Sequence, residues 1–160
     1  MKKYHVAPAQ INLEITETAA AHSDMLENNI KILHKQGIEF SLDDYGSGYS
    51  NTDYLFRFPF RIVKIDKTIL WEAFKNEKAM IALRNTIRMI KELGLEIVVE
   101  GVENQEYVDY LTEQHCDYLQ GYFYSKPIPD RDFLELLRRE NAQYYAERFS
   151  KNELSDIITT

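Results

Sequence analysis

Glu14, the adjacent pair Asp43 and Asp44, Lys64 with Asp66, Glu100 and Gln120 are the residues of this chain whose types and placement could do chemistry. Each falls near the C-terminal end of a short apolar segment, where an unpaired charge is strongly disfavoured. Several carboxylates with one lysine, and no His or Cys cluster at ligand spacing, suit oxygen-liking cations such as Mg2+ or Mn2+ rather than zinc. Two such ions can clamp the attacking water and the leaving oxygen of a phosphodiester. Taken singly, each residue reads equally well as an ion pair at a strand end. Their recurrence on every apolar segment points to one shared pocket.

The elements that would position them alternate. Segment 11–17 alternates in polarity, with Ile11, Leu13 and Ile15 on one face and Asn12, Glu14 and Thr16 on the other. Segment 24–36 places Leu26, Ile30 and Leu33 at helical spacing before Gly37. Strands are expected at 38–44, 61–66, 95–102 and 117–125. A short helix is expected over 50–58, and a long one over 77–93 with Met80, Leu83, Ile87 and Ile90 as its stripe. Asn104 can cap a further helix through Leu111, and a last helix runs from Asp130 to about residue 149. Strictly alternating strands and helices imply parallel strands joined by right-handed crossovers. An open doubly wound sheet and a closed barrel both fit. Polar residues at the C-terminal strand ends favour the barrel, where those ends ring one pocket.

Composition bounds the rest. The 160 residues, 44% hydrophobic and 28% charged, describe one soluble globular domain. A single cysteine, Cys116, excludes an internal disulfide and fits a reducing, cytoplasmic compartment. No apolar run approaches the ~20 residues of a membrane span, and the basic start MKKYHVAPAQ has no apolar stretch behind it. The net charge of −7 makes the chain a poor ligand for a nucleic-acid polymer. An anionic substrate would need bound cations to invert the local charge.

Other residues carry less. His5, His22, His34 and His115 share no spacing and read as surface residues. Gly46-Ser47-Gly48 could bring N–H groups to a phosphate, but reads first as a turn. Trp71 reads as packing, Cys116 as a small buried hydrophobe, and Glu103 as an orienting group. Tyr122 and Tyr124 are expected on the fifth strand, packing in the core or at its rim.

LEITET, SLDDYGSGYSNTDYL, VKID, VVEGVE and QGYFYSKPIP follow one another in an order and at spacings that resemble the EAL family of cyclic di-GMP phosphodiesterases. The resemblance runs from about residue 11 to 130. It implies an α/β fold, a partial (β/α) barrel of modified TIM-barrel type with five parallel strands alternating with helices. It also implies hydrolysis of the bacterial second messenger cyclic di-GMP to the linear dinucleotide, with two divalent cations, Mg2+ or Mn2+. By position, Glu14, Asp43, Asp44 and Glu100 match metal ligands, and Glu100 also a general base. Lys64 matches the lysine that contacts the attacking water, Gln120 a residue near substrate, and Glu17 the glutamate that steadies the loop over the site. Tyr45 stands where phenylalanine is usual and Val99 where alanine is usual.

The family's Glu-Ala-Leu strand and a later asparagine ligand have no counterpart here, and Asn12 is too close to Glu14 to be that asparagine. The resemblance thus implies one N-terminally truncated domain over 1–160, with motifs over 11–130 and a terminal helix over 130–149. Roughly a third of a ~250-residue barrel would be absent. Such a chain is expected to hydrolyse cyclic di-GMP poorly. It is also expected to pair with a second copy, or with a chain that supplies the missing strands. The rival expectation is a non-catalytic module that binds cyclic di-GMP or a protein.

Overall fold

Period two decides which side of each strand meets the helices, and five short strands share that decision. The computed structural model describes residues 6–20, 24–48 and 52–148. The strands are β1 (Asn12–Thr16), β2 (Glu39–Tyr45), β3 (Ile62–Ile65), β4 (Glu96–Val99) and β5 (Tyr118–Leu119). They lie side by side in chain order, and every neighbouring pair is parallel. The helices are α1 (Glu17–Ala20), α2 (Asp24–Lys35), α3 (Asp53–Arg57), α4 (Lys67–Ala73), α5 (Glu77–Glu92), α6 (Gln105–Glu113) and α7 (Asp130–Arg148). This is the alternating α/β, barrel-type arrangement with five parallel strands.

The register aligns Ile15, Leu42, Val63 and Ile97 in one row across the sheet, and Ile65 with Val99 in the next. All six are buried. Helix α5 covers this side with Leu83, Ile87 and Ile90, and α2 contributes Ile30. Each fully buried aliphatic of this kind contributes about 2 kcal/mol by leaving water. The opposite face carries Glu14, Ser41, Asp43 and Lys64, the polar alternates of the same strands.

Three expectations need correction. Leu13, placed on the core side of β1, is 38% exposed, because β1 is an edge strand with only one neighbour. The fifth strand covers two residues rather than 117–125, so Tyr122 and Tyr124 sit in the turn that follows it and are exposed. Helix α4 was not anticipated. Asp66 is its N-cap, accepting from the Thr68 N–H at 2.9 Å, so it holds a helix end and is not part of the polar cluster. His5, His22 and the polar end beyond Arg148 lie outside the described residues.

Residues through Tyr124 form one compact unit and those from Ser125 a second. In the second, the Phe133 N–H donates to Pro129 O at 2.9 Å in the first turn of α7. Among the described residues, no helix is long and apolar enough to cross a membrane.

Candidate metal centre and active site

A regular strand sends neighbouring side chains to opposite faces, which would separate Asp43 from Asp44. Strand β2 avoids this with a bulge. Leu42 pairs with Val63 and Tyr45 with Ile65, so Asp43 and Asp44 together oppose the single residue Lys64. Asp44 takes φ +56°, a left-handed conformation that aspartate tolerates better than most residues. As a result, carboxylate oxygens of Asp43, Asp44 and Glu100 lie within 4.8 Å of one another.

Glu100 is fixed one residue past β4, where its N–H donates to Ile65 O at 3.0 Å. Lys64 sits at the centre of the cluster, its side chain only 11% exposed. Its Nζ is 2.8 Å from Asp43 Oδ1, 3.0 Å from Glu14 Oε1 and 3.0 Å from Glu100 Oε1. Burial pulls its pKa down, but the three carboxylates more than offset that, and the ammonium stands above its ordinary value. Within this set, four carboxylates face one ammonium, leaving three negative charges uncompensated.

Gln120 donates its side-chain N–H to Glu100 Oε1 at 3.3 Å. Its own backbone N–H donates to Val99 O at 2.9 Å, and its carbonyl accepts from Val102 at 3.1 Å. That close crossing depends on Gly121, because a Cβ there would lie 2.0 Å from Val102 O and 2.3 Å from Val102 N. Gly121→Ala is therefore expected to destabilise the protein by about 3 kcal/mol, read from the urea midpoint. Glu17 is 5% exposed and accepts the Gly46 N–H at 3.3 Å, tying down the loop that follows the two aspartates. The Tyr45 hydroxyl beside it is pushed up in pKa by burial and by the Glu17 charge.

The donor set fits hard divalent cations. It is all oxygen, it carries excess negative charge, and Asp43 Oδ1 is buried with no aligned hydrogen bond despite its contact with Lys64. Sequence reading missed the bulge, which has no local signature, and the role of Trp71, whose indole N–H donates to Gly101 O at 2.8 Å. Glu103 is exposed and His115 takes φ +56° at the end of α6; neither joins the cluster. Cys116 is no alternative nucleophile: burial pushes its thiol up to about 12. At pH 8 it is expected to react with Ellman's reagent at least tenfold more slowly than free cysteine.

A parallel β/α sheet that gathers carboxylates at the C-terminal ends of its strands is the arrangement of the barrel class, whose active sites lie at those ends. The chain belongs to the EAL domain family, whose sequence model matches residues 1–127. It is 34% identical over 137 residues to cyclic di-GMP phosphodiesterase RocR of Pseudomonas aeruginosa, covering 84% of this chain and 35% of RocR. It thus spans about a third of the length of that relative. Among solved structures it resembles the PaMucR phosphodiesterase in complex with c-di-GMP, with a TM-score of 0.77 and 30% identity over 82% of this chain and 54% of that one. It also resembles the manganese/cy-diGMP complex of Klebsiella pneumoniae BlrP1, with a TM-score of 0.73 and 28% identity over 79% of this chain and 32% of that one.

Proposed function

We propose that this chain supplies the catalytic wall of a cytoplasmic, cation-dependent phosphodiesterase that hydrolyses cyclic di-GMP to the linear dinucleotide. The observation that carries this reading is the convergence of Asp43, Asp44 and Glu100 on one point, with Lys64 held among the carboxylates. Glu14, Asp43, Asp44 and Glu100 would hold Mg2+ or Mn2+. When bound, the cations would make water a nucleophile at neutral pH and stabilise charge on the phosphoryl oxygens.

The chain's own residues divide the remaining work. Lys64 stays protonated at neutral pH, so it cannot take a proton; it orients the attacking water and offsets phosphate charge. The proton goes instead to Glu100, whose carboxylate is within reach of that lysine. Gln120 fixes the Glu100 rotamer and faces substrate, and Glu17 steadies the loop after β2. Chromatographic assay of cyclic di-GMP cleavage with Mg2+ or Mn2+ tests the reading. A complete domain containing these strands that shows no cation-dependent cleavage would overturn it.

Among the described residues, five strands leave the outer edges of β1 and β5 without a strand partner and do not close a barrel. We therefore expect the 160-residue chain alone to turn over slowly. The open sheet also favours a second reading, binding of cyclic di-GMP without hydrolysis, which equilibrium dialysis alongside the cleavage assay separates from the first. Unpaired edges template further strands. Light scattering on a size-exclusion column is expected to show dimers or larger species, through a second copy or a chain that completes the sheet. A stable monomer at micromolar concentration would remove that expectation.

A further inference from the structure

Glu100 sits where the chain leaves β4, and the next residue is gripped from outside the sheet. Gly101 takes φ +71°, and a Cβ there would lie 2.3 Å from Lys67 Cβ and 3.0 Å from Trp71 Nε1. Its carbonyl accepts the Trp71 indole N–H at 2.8 Å, and the Lys67 ammonium lies 5.4 Å from the centre of the same indole ring. Both gripping residues belong to α4, which Asp66 caps two residues after Lys64. One short helix thus begins beside the site's lysine and, through Trp71, holds the Gly101–Val102 peptide one residue past the site's glutamate. Packing alone would need the ring of residue 71 but not its N–H.

We infer that Trp71 is a positioning residue: its indole N–H holds the Gly101 carbonyl, in the Gly101–Val102 peptide, which pins the backbone one residue past Glu100 and so aims the Glu100 carboxylate at Lys64, Asp43 and Asp44. The inference rests on the role given to Glu100 above. No other side chain of the described residues hydrogen-bonds the Gly101 carbonyl. Loosening that peptide frees the Glu100 side chain to leave the cluster without exposing the core beneath α5.

The test is Trp71→Phe, which keeps an aromatic ring and removes only the N–H donor. The Glu100 and Val102 amides, both hydrogen-bonded in the native fold, are expected to exchange with solvent about fivefold faster in the variant, the effect of losing one ordinary hydrogen bond. Amides at the centre of α5 are expected to keep their native rates. Mn2+ affinity by titration calorimetry is expected to fall by a similar factor, with global unfolding little changed. A general packing defect would move α5 and the global transition as well. Native exchange at Glu100 and Val102 in a folded variant overturns the inference. If the variant does not fold, the native chain decides, since its single tryptophan gives one indole N–H resonance. That resonance should shift as Mg2+ is added, and an unmoved resonance at saturation overturns the inference. If the native chain binds neither cation, the metal reading fails on its own and the exchange rates alone judge Trp71.

Discussion

Replacing Glu100 with glutamine is expected to lower cyclic di-GMP cleavage by a domain containing this chain about a thousandfold while leaving its fold intact. The two contacts made by Glu100 Oε1, to Lys64 at 3.0 Å and to Gln120 at 3.3 Å, both come from donors. A glutamine carbonyl can accept both, so the near-isosteric change costs little in packing. It does remove a proton acceptor, and general bases contribute about 10^2- to 10^4-fold. It also removes one of the charges expected to hold a cation, so Mn2+ affinity should fall in parallel. Far-UV circular dichroism and the melting temperature check the fold, and single-turnover cleavage checks the chemistry. Retention of most of the rate would mean that a different carboxylate takes the proton.

Lys64→Met is expected to act on stability as strongly as Glu100→Gln acts on rate. The side chain is largely buried and touches three carboxylates. Removing the cation leaves acidic groups facing one another in a partly desolvated pocket, a defect that costs about 3 kcal/mol. For a chain of this size that corresponds to a fall of about 10 °C in Tm without added cation. Mn2+ should restore part of the loss, because a ligand that binds only the folded state stabilises it by mass action. The linkage to pH has a definite sign. The Lys64 pKa is raised on folding, so its contribution is complete below the ordinary lysine value of about 10.4 and is lost only as pH rises through the higher folded value. The stability gap between wild type and Lys64→Met should therefore stay level from about pH 7 to 9 and shrink only in more alkaline solution. An unchanged Tm in cation-free buffer would show that the carboxylates rearrange rather than repel.

Much of this was legible in the sequence. Asn104 caps α6 through its side chain, accepting from Tyr107 at 2.9 Å, as its type and position imply. Of the expected stripe of α5, Leu83, Ile87 and Ile90 are buried, and Met80 packs partly buried against the core. The gathering of Glu14, Asp43, Lys64 and Glu100 follows from polar alternates at the ends of parallel strands. What the sequence hid has physical causes. Helix α4 is seven residues long, too short for periodicity to separate from a strand end, and its cap Asp66 therefore read as a site residue. Strand β5 stops after two residues because Gly121 lets the chain cross Val102 at close range, a tertiary contact that no local pattern records. The exposure of Leu13 follows from β1 having a single neighbour, which depends on the sheet as a whole. The indole of Trp71 showed its bulk in the sequence but not its hydrogen bond.

The bulge in β2 has a genetic consequence. Loss of the single codon for Asp44 would leave Leu42, Asp43 and Tyr45 facing Val63, Lys64 and Ile65 in unbroken register. The strand would become more regular, shed its one left-handed residue, and keep both flanking core side chains where they are. Most deletions inside a strand turn its apolar face outward and unfold the protein; this one would remove a proposed cation ligand and tidy the backbone in the same event. A catalytic lineage built on this strand therefore stands one in-frame deletion away from a stable descendant that keeps the shape of the pocket and lacks part of its chemistry. Selection for folding alone would do nothing to prevent that step, and only selection for turnover would hold the extra residue in place.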